Sequence, residues 1–199
     1  MYNILNDWGI STPQDHWYPE YLQEHYPENF FFIDKFPFIV SPKNARKFDQ
    51  VDVFYQEVLQ GKADNKDFVF VENKYIEVIT KLWLYNDVFV EIDISDVKIE
   101  KIEKQIDKSL HHCLKSLLKK YTKTSCLKIT KKNELKLLVQ LACRDVFYVA
   151  FCFKNFQILA MSTFSCFALY INDLTKKSGV EKIVNVEGLY LRAGKTGSE

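Results

Sequence analysis

The chain has 199 residues, with 27 Lys/Arg against 26 Asp/Glu and a formal net charge of +1, so its overall charge selects neither a polyanionic nor a polycationic partner. Its length fits one large domain. Six glycines and five prolines argue against the phosphate-cradling loops of a doubly wound enzyme.

Near-neutrality conceals two opposite segments. The first 34 residues contain no Lys or Arg but carry six acids (Asp7, Asp15, Glu20, Glu24, Glu28, Asp34) and nine aromatic rings. Pro19 suits the first turn of a short helix, because its missing N–H would be unpaired there anyway; Pro27 ends that helix. Phe30 to Val40 reads as a buried strand, which Pro37 assigns to a sheet edge or a bulge.

Ser41-Pro42 is a hydroxyl cap followed by proline, and Ala45, Phe48, Val51, Phe54, Tyr55 and Val58 follow at helical spacing. These predict a helix over 42–60 that Gly61 stops. Strands are expected at 68–71, 75–84 and 88–94, the last two as a hairpin around Tyr85-Asn86-Asp87. A long helix over 96–121 follows from the stripe Ile99, Ile102, Ile106, Leu110, Cys113, Leu117 and Tyr121.

From Lys115 to Lys136 eight lysines face one acid, Glu134. Strands fit at 125–130, 134–143, 146–153 and 156–161, as an antiparallel meander. The later ones are apolar on both faces, so both sides of the sheet need cover. Residues 162–174 suit a helix or a strand, 180–191 suggest a last strand, and 192–199 a disordered tail. The fold class is therefore α+β in a single domain over 1–199: a mainly antiparallel sheet of six to eight strands with a C-terminal meander, packed by the helices 42–60 and 96–121. Residues 1–40 form an acidic, aromatic segment on it.

Chemistry is sparse. Five cysteines, at 113, 126, 143, 152 and 166, are odd in number and form no Cys-x-x-Cys, so free thiols in a reducing compartment are expected. No basic N-terminal region precedes an apolar stretch, so no signal peptide is expected, and no apolar run reaches membrane-spanning length. This points to the cytoplasm. His16 and His25 lie nine apart, and His111 and His112 diverge by about 100° on a helix. Neither spacing matches a metal site, and no cofactor is expected. Gly194-Lys195-Thr196 lacks the spacing of a phosphate loop. The lysine-rich stretch has no arginine and one ring, Tyr121, which disfavours nucleic acid. It allows self-association with the acidic segment of a second copy.

Two function classes result, with a third in reserve. The first is a non-enzymatic protein-binding domain, of the antitoxin or immunity type by analogy of surface character. It would dock a basic protein through Asp15, Trp17, Tyr18, Glu20, Tyr21 and Glu24, where rings supply contact area and carboxylates steer association. The second is a metal-dependent nuclease using the acid-x-Lys triplet Glu72-Asn73-Lys74 at a strand end with Asp34 or Asp52. That triplet recurs at Asp64-Lys66, Asp96-Lys98 and Glu134-Lys136, so it specifies little. The third is a small-molecule-binding domain with an apolar pocket between sheet and helices.

Overall fold

The computed structural model describes residues 1–10, 18–38, 55–93, 99–121, 126–163 and 167–194. One seven-stranded sheet organises them, in the order β3-β2-β4-β5-β6-β1-β7, with every neighbouring pair antiparallel. The strands are β1 Phe30–Asp34, β2 Val88–Asp93, β3 Leu127–Ile129, β4 Tyr148–Phe153, β5 Ile158–Ser162, β6 Phe167–Ile171 and β7 Tyr190–Ala193. The α+β class and the antiparallel sheet are as expected, and β4, β5 and β6 form the meander. Within 162–174, Ser162 ends β5 and Phe167–Ile171 form β6, all five of its residues buried, while 164–166 fall outside the described residues.

Side-chain alternation gives the sheet two apolar faces, each with its own cover. On the first, Val90, Ile92, Val149, Phe151, Phe153, Leu169 and Ile171 meet helices α4 (Asn65–Leu84), α6 (His111–Tyr121), α7 (Lys132–Cys143) and α8 (Lys177–Val186) in the main core. On the second, Phe30, Ala150, Cys152, Leu159, Met161, Ala168 and Tyr170 meet Leu5 and Ile10 around α1 (Tyr2–Asp7) and Leu22 of α2 (Tyr18–His25). The described helices of the lysine-free opening, α1 and α2, thus cover the second face of the sheet, while its end, β1, is a strand of the sheet itself. Proline begins and ends α2 as anticipated, at Pro19 and Pro27.

Several local expectations are corrected. Residues 68–71 and 75–84 are not strands: both belong to α4, a 20-residue helix. Its β-branched residues Ile76, Val78, Ile79 and Thr80 suit a strand, but burial of Phe68, Glu72, Tyr75, Ile79 and Leu82 follows the helical period. Asp64 caps it, its Oδ1 accepting from Lys66 N–H at 2.8 Å. The Tyr85-Asn86-Asp87 turn therefore joins a helix to β2. Asn86 Nδ2 donates to Leu82 O (2.7 Å), and its Oδ1 accepts from Phe156 N–H (2.8 Å) in the β4–β5 turn.

Residues 134–143 are helix α7, not a strand. Eight of its twelve residues are buried, which erases the polar face by which a helix is read from sequence. The strand expected over 180–191 is α8 followed by a turn at Gly188 (φ 69°); only β7 is strand. Arg192 and Ala193 lie in β7, so extended, paired structure continues into the range expected to be a tail; 195–199 fall outside the described residues. β1 stops at Asp34 and pairs with β6 and β7 on either side. It is thus an interior strand, and Pro37 lies beyond it.

The 96–121 helix is interrupted. A single turn, α5 (Ile99–Glu103), is followed by a bend and a 3₁₀ turn at Lys108–Leu110 before α6. Carbonyls released at the break find new donors: Arg144 Nη1 donates to Gln105 O, and His111 Nε2 lies 2.9 Å from Glu103 O. Of the 42–60 helix only one turn, α3 (Tyr55–Leu59), falls among the described residues. It stops at Gly61 (φ 68°) as predicted, with Lys62 N–H donating to Glu57 O at 2.9 Å.

Candidate functional site

Asp15, Trp17 and Asp52 lie outside the described residues. Tyr18 opens α2. Glu20 and Glu24, one helical turn apart, are exposed on it. Tyr21 is half-buried and stacks on His25 with ring centroids 4.1 Å apart. On the inner side Leu22 is buried, and Gln23 Nε2 donates to Gly194 O at 3.3 Å, tying α2 to the end of β7. The other described rings of the segment serve packing. Phe30 and Phe31 are buried, and Trp8, Tyr26 and Phe32 pack against the second core. The outer surface of α2 is therefore chiefly carboxylate, with one stacked Tyr–His pair.

The residues of the nuclease reading do not converge. Asp34 accepts from Arg192 Nη2 (2.8 Å) and Nε (3.2 Å). Glu72 is buried in mid-helix and accepts from Arg144 Nε (2.7 Å) and Nη2 (2.8 Å). Lys74 lies two positions on, about 200° around the helix, over the Phe70 ring at 4.8 Å. Among the described residues no group of three or more His, Cys, Asp or Glu side chains could hold a metal ion.

The Glu72–Arg144 pair was not anticipated. One signal for it existed: the chain has only three arginines among its 27 basic residues, and a forked guanidinium is what a buried carboxylate requires. Burial opposes the charge on Arg144, but hydrogen bonds and attraction from Glu72 outweigh it, holding its pKa above the ordinary guanidinium value. The neighbouring Cys143 thiol is pushed up by burial and by the Glu72 charge, so it is a poor nucleophile.

That pair floors a groove of about 490 Å³, within the size range of ligand sites. Helical spacing builds it: Asn65, Val69 and Glu72 form one stripe on α4, and Lys136 and Gln140 on α7 continue to Arg144 at its C-cap. The bend after α5 closes the third side with Gln105 and Asp107. In contrast to the apolar pocket expected between sheet and helices, this groove is polar and lies between helices. The lysine-rich stretch is spread over α6, β3 and α7. Lys115 pairs with Glu103 (3.0 Å), Lys120 with Glu134, and Lys128 with Asp87 (2.8 Å).

Comparison with protein-family models, with curated proteins and with solved structures finds no match to this chain. Its α+β class thus rests on the sheet and its helices, and its function on the chemistry of its surfaces. No helix among the described residues is long and apolar enough to cross a membrane.

Proposed function

We propose that the protein is a non-enzymatic, cytoplasmic binding domain that docks a basic protein through the outer face of its N-terminal layer. An inhibitor of the antitoxin or immunity type is the subtype that fits. One observation carries the reading: a 34-residue opening without a basic side chain turns Leu5, Leu22 and Phe30 inward and leaves Glu20 and Glu24 in solvent on α2. Packing accounts for the rings of this layer. It does not account for the exclusion of lysine from a chain otherwise rich in it. Carboxylates displayed on a segment without lysine or arginine would attract a basic surface and speed its association.

Capture from cell extract on immobilised protein, with mass spectrometry of what is retained, tests this. A basic protein should be recovered at about 50 mM salt and released at about 500 mM, where screening shortens the reach of charge. The variant Glu20→Lys/Glu24→Lys should lose it. Retention unchanged by salt and by the double substitution would remove the electrostatic basis of the reading.

A further inference from the structure

β7 is the last strand of the sheet, and its outer side carries backbone groups that no described residue satisfies. Gly194 N–H donates to Phe30 O at 2.8 Å, and the register sets Arg192 opposite Phe32 and Tyr190 opposite Asp34. Bonded and non-bonded pairs alternate along an antiparallel ladder. Residues 190, 192 and 194 therefore turn their N–H and C=O groups towards β1, and Leu191 and Ala193 turn theirs outward. Ala193 is exposed and Leu191 half-buried. Such a row of unpaired donors and acceptors, open to solvent, is a template for one more strand.

The surroundings define the chemistry of that strand. Gln23 Nε2 donates to Gly194 O at 3.3 Å, which brings one flank of α2 to the end of β7. Helix geometry places Glu20 about 60° and Glu24 about 100° further round from Gln23, in the direction away from the buried Leu22. Both carboxylates are exposed. The basic side chain of β7, Arg192, is held by Asp34 at 2.8 Å and does not offset them. A cationic segment is therefore favoured here. The opposite edge disfavours it. β3 is three residues long, carries Lys128 at its centre and is followed by Lys131 and Lys132, a charged edge of the kind that prevents pairing. A second copy fits β7 less well. The register that bonds Leu191 of each copy to Ala193 of the other sets Arg192 against Arg192, and like charges directly opposite are unfavourable.

We propose that an extended, lysine- or arginine-bearing segment of the partner adds to β7 as an eighth strand of the sheet, its backbone bonding Leu191 and Ala193 and its cations meeting Glu20 and Glu24. This rests on the docking proposed for α2 and specifies how the partner binds there.

Amide hydrogen exchange of the full chain, read residue by residue by NMR at about 50 mM salt, tests it with a blocked hexapeptide of alternating lysine and valine. Saturating peptide should slow exchange at Leu191 and Ala193 about tenfold or more, while the Arg192 amide, already bonded to β1, stays unchanged. The same peptide with glutamate for lysine should bind at least about tenfold more weakly. Ala193→Pro removes an outward N–H at an edge position that tolerates proline and sets its ring where the added strand would lie. It should weaken peptide binding about tenfold or more. If that variant melts early, Glu20→Gln/Glu24→Gln, altered only at exposed positions, keeps the fold and should also weaken binding about tenfold. Three results would each overturn the assignment: unchanged exchange at Leu191 and Ala193, equal binding of the glutamate peptide, or protection that rises with protein concentration alone, as self-pairing would give. The two readings fail separately. Capture of a basic protein that survives Ala193→Pro but is lost in Glu20→Lys/Glu24→Lys would sink strand addition and leave docking on α2 standing.

Discussion

Arg144 ties α4 to the break in the 96–121 segment. It neutralises a carboxylate with no exposed surface and supplies a donor to the carbonyl freed where the 96–121 helix breaks. Breaking such a pair leaves a buried charge alone, so Arg144→Met should cost about 3–5 kcal/mol. Replacing both partners, as Glu72→Leu/Arg144→Met, should recover most of that loss; urea denaturation of the two variants measures it. Gly194 is a second decisive position. A Cβ there would stand 2.8 Å from Phe30 O, and that oxygen accepts from Gly194 N–H at 2.8 Å. Gly194→Ala must therefore shift β7 from β1, costing about 1–3 kcal/mol, with faster hydrogen exchange at that amide. Neither constraint is legible locally. Glu72 lies 72 positions from Arg144, and nothing near it in sequence announces a partner.

The elements show where sequence periodicity carries information and where it fails. β2, β4 and β5 are short, apolar and bounded by turns, and they lie close to where the pattern put them. From sequence, helices α4 and α7 read as strands for two different reasons. In α4 the β-branched residues argue for extension, and tertiary burial overrides them. In α7 eight of the nine residues from Glu134 to Ala142 are buried, so the alternation that separates a period of 2 from one of 3.6 is missing. Within α2 the inner and outer faces have separable roles. Leu22→Asp places a carboxylate where exposure is zero and should cost at least about 3 kcal/mol, with uptake of a hydrophobic dye. Glu24→Lys, on the solvent side, should change stability by no more than about 0.5 kcal/mol while weakening capture of a basic partner. Equal stability loss in both variants would show that α2 acts only in packing.

For the molecule as a whole, the N-terminal layer seals ionisable groups against the second sheet face, which predicts a specific alkaline weakness. Burial raises the Cys152 thiol from 9.0 to about 12, with the Cys126 charge adding to it. It also raises the Tyr170 hydroxyl from 10.0 to about 12. The native state then holds protons that the unfolded chain has released, so stability falls as pH rises between the unfolded and folded values. It should be unaffected below pH about 9 and decline towards about 12. Urea midpoints should drop between pH about 8 and about 10.5, and less so in Tyr170→Phe. An unchanged midpoint would mean that water reaches this core.

Composition and periodicity alone were enough for the α+β class, the antiparallel meander, the turn at Gly61 and the need for cover on both sheet faces. These follow from local propensity and from the burial that apolar residues require, which neighbours in sequence express directly. Which segment supplies the second cover, why 96–121 bends, and that Glu72, Gln140 and Arg144 share one groove floor emerge only on folding. Such features depend on contacts between distant stretches of chain. A buried charge or an unpaired amide acquires its meaning from what is packed against it, and only tertiary structure settles that.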